Sequence, residues 1–295
     1  MLVGLKIVAD VVGYRVRKLE MGNLPAATSI ALALYLPLQD IVARTAFAFV
    51  LNVLVYLNND YVDVDIDLAS TDKDNAKTRF LAAHKRAALV SQWVLVALLT
   101  AAALAYDRGL FVALIGGGGI CVWYSAYLKR RPFVDILAMA IWGVTMPLCG
   151  SPAQSTLGWG MALQLGLVSG VFETIQVMRD ADEDAKDEGV RTTGVVLGQA
   201  RTLLLARALM LATSLYAALV MHPAIAVLSA FALVVPFTKD DVALYWTRVK
   251  LVYGVTWLSV CALVFLQGHT AGLWWSIGHA AGQSISDVFA QLIGH

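Results

Sequence analysis

Apolar runs of about 20 residues, each long enough to cross roughly 30 Å of hydrocarbon as an α-helix, recur along nearly the whole chain. They fall near 23–41, 43–60, 86–106, 109–128, 133–153, 158–179, 199–220, 223–238 and 245–268. The eighth is short and begins at Pro223. These runs predict an all-α, polytopic membrane protein of about nine spans. Composition agrees: 59% of residues are hydrophobic, 15% are charged, and the mean hydropathy is +0.70. Soluble domains lie nearer half apolar and about a quarter charged.

The rest of the composition excludes other classes. A net charge of +1 argues against nucleic acid as a partner. Cys121, Cys149 and Cys261 each sit alone inside an apolar run, with neither a disulfide framework nor zinc spacing. The first 22 residues mix Leu5, Val8, Val12 and Leu19 with Lys6, Asp10, Arg15, Arg17 and Lys18. That pattern predicts an amphipathic interfacial helix rather than a cleaved leader. Residues 271–295, with Trp274, Trp275, Val288 and Phe289 among polar residues, predict an interfacial tail. The whole of 1–295 is thus expected to form one membrane domain.

Charge placement orients the spans. With the N-terminus inside, all but Arg44, Arg108 and Arg207 of the 22 lysines and arginines fall on the inner side. The outward loops are short and plain, whereas the inward loops after spans two, four, six and eight are longer and charged. The expected location is a bacterial or archaeal cytoplasmic membrane, with the chemistry on the cytoplasmic face.

Two acidic clusters stand on that face. The first ends span two: Asn59-Asp60-Tyr61-Val62-Asp63-Val64-Asp65-Ile66-Asp67. Asp60, Asp63 and Asp67 are spaced i, i+3, i+7, which on a continuous helix stacks them on one face over two turns. Unliganded carboxylates that close repel one another and lose hydration. A hard divalent cation relieves both costs, and magnesium favours a few carboxylates supplemented by phosphate oxygens and water. The second cluster follows span six, where Asp180 and Asp184 form an i, i+4 pair, followed by Gly189 and Arg191-Thr192-Thr193. One acidic run after a span is commonly a solvated loop. Two runs, both at helix ends and on one side, point instead to a metal–diphosphate site.

Around the clusters lie candidate contacts. Lys77, Arg79, Lys129 and Arg191 are placed for phosphate oxygens, although the inner-side excess of cations alone would also put basic residues there. Asn52, one heptad before Asn59, and Glu173, seven residues before Asp180, share the faces of the two clusters. Polar groups within a span are costly unless they line a cavity or find a partner. Tyr124 offers a ring to a cationic species, and an interfacial aromatic belt would account for it equally well.

The pattern Asn59-Asp60-x-x-Asp63-x-x-x-Asp67, with Tyr124-Ser125, Leu128-Lys129-Arg130, Asp180-x-x-x-Asp184, Gly189 and Arg191-Thr192-Thr193, resembles the UbiA superfamily of intramembrane prenyltransferases. The resemblance spans essentially the whole chain. It implies helices around a central cavity opening to the lipid. It also implies a magnesium-bound isoprenyl diphosphate and prenyl transfer to a lipophilic acceptor. By position, Asn59, Asp60, Asp63, Asp67, Asp180 and Asp184 would coordinate the magnesium–diphosphate, and Lys77, Arg79, Lys129 and Arg191 would be diphosphate contacts. Two departures are visible. Lys77-Thr78-Arg79-Phe80 stands where many members have an Arg-Pro pair, and Ser125 holds the tyrosine position of a Tyr-x-x-x-Lys element.

The expected reaction is magnesium-dependent prenylation of a lipophilic, aromatic acceptor. The alternatives are a non-aromatic acceptor such as a glycerol or sugar phosphate, terpene cyclisation on the same scaffold, or a cation or lipid transporter. Transporters favour broken helices with polar sites at the midplane, whereas these carboxylates cap helices at one interface. A CDP-alcohol phosphotransferase also uses spaced aspartates, but its glycine- and arginine-containing pattern is missing.

Overall fold

The computed structural model describes residues 2–18, 21–69, 75–186 and 190–267. The expected tail at 271–295 lies outside the described residues. Among the described residues the chain is helical, with no strand. Five helices are long and apolar enough to cross a membrane: α3 (Leu38–Val62), α6 (Lys85–Ala105), α9 (Thr156–Asp184), Thr193–Met221 beginning with α10 (Thr193–Tyr216), and α12 (Val242–Gln267) through Leu266. Shorter apolar helical stretches run over Leu24–Ala33, Val112–Ala126, Val134–Gly150 and Pro223–Val234. They contain α2 (Asn23–Ala33), α7 (Gly119–Ala126), α8 (Val134–Thr145) and α11 (Pro223–Ala230). Three more helices are α1 (Leu2–Arg17), α4 (Val64–Ala69) and α5 (Asn75–Ala83).

The span boundaries differ from the hydropathy reading, for local reasons. The run expected at 23–41 stops at Ala33, because Tyr35 takes φ 57° and Pro37 an extended conformation (ψ 146°). Proline then opens α3 at Leu38, five residues before the expected start of the second span. The runs at 109–128 and 133–153 are helical only in part as α-helix. Val112–Gly118 is a π-helix, and Pro147–Gly150 closes the latter as a 3-10 turn.

Close helix contacts rest on small residues, as lipid-embedded helices require when no hydrophobic drive draws them together. A Cβ on Gly194, at the start of α10, would stand 1.9 Å from the carbonyl oxygen of Val177 on α9. Gly150 meets the carbonyl of Ala27 on α2 at the same separation. Near the start of α3 Arg44, 4% exposed, donates to Asp107 and to the carbonyl oxygen of Ser151 at 2.9 Å. At the start of α8 Asp135 is fully buried and accepts from the backbone N–H of Thr193 at 2.7 Å and its hydroxyl at 2.5 Å. Thr192 caps α10, its hydroxyl accepting from the N–H of Val195. The start of α10 is therefore held beside the end of α9, which carries the second acidic cluster.

Gly194→Ala is expected to lower stability by about 1–3 kcal/mol through overpacking, read as a reduced Tm in detergent. Gly254→Ala, where nothing lies within 4 Å of the new Cβ, serves as the control and is expected to leave Tm unchanged or raise it.

Candidate active site

The first cluster is built where a long helix stops. α3 runs to Val62, Asp63 is its C-cap with φ −89° and ψ 5°, and α4 resumes at Val64. Asp60, Asp63 and Asp67 thus do not ride one continuous helix, as their spacing suggested. Asp60 belongs to the last turn of α3, Asp63 occupies the bend, and Asp67 lies on α4. The amide of Asp67 donates to the carbonyl oxygen of Asp63 at 2.8 Å across the bend.

Each of the first two carboxylates meets a cation. Asp60 is 3% exposed. One oxygen accepts from an Arg15 guanidinium nitrogen at 2.5 Å and the other from Lys77 Nζ at 2.6 Å. The Arg15 guanidinium lies over the Tyr56 ring at 4.6 Å, and Lys77 Nζ over the Tyr14 ring at 4.3 Å. Asp63 accepts from Lys129 Nζ at 2.5 Å. A buried carboxylate left without such partners would be strongly destabilising. Asp67 is buried.

Two consecutive residues of α7 join the halves of the site. The Ser125 hydroxyl donates to Asn59 Oδ1 at 3.2 Å on α3. The Tyr124 hydroxyl donates to Glu173 Oε1 at 2.6 Å on α9, where Glu173 is 5% exposed. The shift of tyrosine by one position thus separates two duties, serine reaching the first cluster and tyrosine the second helix. Four residues beyond Ser125, Lys129 reaches Asp63 from the turn at Leu128–Arg130.

The second cluster is more open. Asp180 is held by its neighbour Arg179 through two nitrogens, at 2.6 and 2.9 Å, and Arg179 lies over Trp246 of α12. Asp184 accepts from the Thr192 hydroxyl at 3.2 Å. Asn52 is fully buried and donates to the carbonyl of Ala48 at 2.8 Å on its own helix. Arg79 and Arg191 are exposed, and neither enters an ion pair among the described residues. Nor do three or more His, Cys, Asp or Glu side chains among the described residues converge into a ready-made metal cage.

Sequence reasoning missed Arg15, Asp135 and Thr192 as contributors. Arg15 had a signal: Ile7, Val11 and Arg15 are the buried residues of α1 and recur every four positions, so the arginine continues an apolar stripe. Asp135 sits in the first turn of an apolar helix, a weaker sign that it serves the neighbouring helix.

The sequence profile of the UbiA prenyltransferase family matches residues 23–250. No curated protein sequence matches the chain. Among solved structures, a UbiA homologue from Archaeoglobus fulgidus bound to GPP and Mg2+ superposes with a TM-score of 0.62 at 19% identity, over 90% of this chain and 99% of that one. A digeranylgeranylglyceryl phosphate synthase gives 0.71 at 14% identity, over 89% and 99%. An apo UbiA homologue from Aeropyrum pernix K1 gives 0.56 at 22% identity, over 84% and 97%. At such identities these likenesses speak for the fold alone.

Tyr124→Phe removes the donor that the buried Glu173 carboxyl relies on. It is expected to cost about 1–3 kcal/mol, measured as a lower Tm than that of the parent protein. An unchanged Tm would mean that the two side chains do not bond.

Proposed function

The chain belongs to the UbiA prenyltransferase family, and we propose that it transfers a prenyl group from an isoprenyl diphosphate to a lipophilic, aromatic acceptor within the membrane, using magnesium. The observation that carries this reading is the rim at the end of α3, where Asp60 and Asp63 are matched by Arg15, Lys77 and Lys129. Carboxylate oxygens are the hard donors magnesium takes, and the family resemblance makes them its holders here. With no dedicated cage among the described residues, magnesium would fill its remaining positions with diphosphate oxygens and water, as it commonly does. The residues present therefore fit the metal.

On this reading Asp60, Asp63, Asp67, Asp180 and Asp184 would hold magnesium, and Asn59, steadied by Ser125, would help to bind the magnesium–diphosphate. What the metal supplies when bound is neutralisation of charge on the leaving diphosphate. Lys77 and Lys129, and the exposed Arg79 and Arg191, bind phosphate oxygens as ammonium and guanidinium groups do. The allylic C–O bond breaks with its electron pair passing to the diphosphate. The acceptor ring carbon attacks the carbocation, and the ring proton then passes to the released diphosphate or to water.

Asn52, Tyr124 and Glu173 would line the substrate cavity beyond the rim. The Tyr124 ring offers a π-face to the cation, and Glu173 keeps that ring oriented. The inner placement of the rim follows the lysine and arginine bias, which puts the diphosphate on the cytoplasmic side. Nothing soluble or nucleic-acid-like is required as a partner, only the prenyl diphosphate, its acceptor and the surrounding lipid.

Purified protein in lipid nanodiscs, given a radiolabelled prenyl diphosphate, magnesium and a lipophilic phenol, is expected to yield prenylated phenol. Asp63→Ala and Asp180→Ala are each expected to reduce transfer about a hundredfold or more, about 3 kcal/mol of transition-state stabilisation. A chelator should abolish it. Full activity in the chelator or in Asp180→Ala would refute the metal assignment. Product with a glycerol phosphate in place of the phenol, or a terpene released without any acceptor, would replace the acceptor assignment.

A further inference from the structure

Between α1 and α6 runs a groove of about 710 Å³, within the range of about 300–1,000 Å³ that small-molecule sites occupy. Val3, Leu5 and Val8 of α1 form one wall, and Val90, Val94 and Leu98 of α6 form the other. The helices touch at Gly4, where a Cβ would stand 2.7 Å from the Ser91 hydroxyl and push them apart. Leu5, Val90, Val94 and Leu98 are each more than half exposed, so the rest of the described chain leaves these walls uncovered. The family match begins at residue 23, and the α1 wall therefore lies outside it.

One end of the groove is positively charged. Arg86 lines it, and among the described residues no acidic side chain does. The first turn of α6 holds Lys85 and Arg86 but no carboxylate, although a helix N-terminus favours negative charge. Lys85 pairs with Asp65 at 3.3 Å, and Lys6 of α1 with Asp10 at 2.7 Å. Arg86 is exposed and enters no ion pair among the described residues. His84, also in the lining, is spent locally, its Nδ1 donating to the carbonyl of Phe80 at 2.9 Å. From Ala87 to Ala105 α6 carries no charged residue, so Arg86 marks the level at which hydrocarbon gives way to headgroups. Leu98 stands about 18 Å further along the helix at roughly 1.5 Å per residue. That is a little over half of the roughly 30 Å hydrocarbon core, the depth of a single leaflet.

We propose that this groove holds an anionic phospholipid, its phosphate on Arg86 and one acyl chain along Val90, Val94 and Leu98, clasped by α1. Phosphate oxygens take the planar guanidinium fork. A net negative headgroup also balances the charge that no carboxylate of the groove offsets. The acyl chain covers the exposed walls, and the groove is as deep as one leaflet. A free phosphate would meet the arginine and leave those walls bare, whereas a neutral lipid would cover the walls and leave Arg86 unmatched. At its other end α1 carries Arg15 to Asp60, so a lipid that fastens α1 to α6 steadies the acidic site from outside it. This holds whatever diphosphate or acceptor the site takes.

The test uses full-length protein stripped of lipid in neutral detergent, with dioleoylphosphatidylglycerol, dioleoylphosphatidylcholine or inorganic phosphate added separately. Phosphatidylglycerol is expected to raise Tm saturably, phosphatidylcholine to raise it less, and inorganic phosphate to leave it unchanged. Arg86→Gln is expected to weaken phosphatidylglycerol binding about fivefold, down to the level of phosphatidylcholine. Arg201→Gln, a change at another exposed arginine on α10, is the control and should leave binding as it was. Val94→Trp fills the groove and should lower the amount of phosphatidylglycerol retained in native mass spectrometry. Equal Tm rises from the two lipids, or undiminished phosphatidylglycerol binding by Arg86→Gln, would overturn the proposal. Equal losses in Arg86→Gln and Arg201→Gln would reduce it to general attraction between charges and overturn it as well. A Tm rise from inorganic phosphate alone would put a free anion in place of the lipid.

Discussion

A carboxylate buried at the end of a membrane helix has neither water nor lipid to turn to, so the protein must bring it a cation or a donor. Asp60 is the clearest case, 3% exposed and held between Arg15 and Lys77. That requirement draws α1 and α5 against the C-terminal end of α3, because each must deliver its cation to one side chain. The same rule recurs elsewhere. Asp135 draws Thr193, and with it the start of α10, against α8. Arg44 draws the loop after α8 to the N-terminal half of α3. The charged and polar groups of the interior thus decide which helices meet. Apolar packing fills the space between them and does little to choose partners, since lipid tails are as apolar as leucine.

The site inherits its shape from these pairings. α7 lies between the two acidic helices and spends adjacent side chains on them, Ser125 on Asn59 and Tyr124 on Glu173. Lys129, just beyond, closes on Asp63. A substitution in α7 therefore bears on both halves of the rim, even though α7 carries none of its carboxylates. The pairs are also of a kind that can be exchanged. An ammonium or guanidinium suits phosphate oxygens as well as it suits a carboxylate.

Much of this was legible beforehand. Hydropathy marked the long helices, and the spacing of Asp60, Asp63, Asp180 and Asp184 marked the family, because both signals are local in the chain. The bend at Asp63 was not legible, since i, i+3, i+7 spacing looks the same on a continuous helix and on one that breaks between turns. The stop at Ala33 depended on Tyr35 entering the left-handed region, which tyrosine rarely does and composition does not announce. Arg15 was read as part of an interfacial helix, because an arginine on an amphipathic stripe can face headgroups or protein, and only the pairing with a residue 45 positions away decides. Tyr124 fell one residue from the family pattern, and the structure gives both it and Ser125 a partner.

The central claim is that the cation-paired aspartates at the end of α3 receive a magnesium-bound diphosphate. Its most direct test is an experimental structure with magnesium and a non-reactive prenyl thiolodiphosphate. The account predicts metal within about 2.1 Å of Asp60 or Asp63 oxygens, with the nitrogens of Lys77 and Lys129 moved onto phosphate oxygens. A diphosphate bound elsewhere, with the Lys77–Asp60 and Lys129–Asp63 pairs intact, would contradict it.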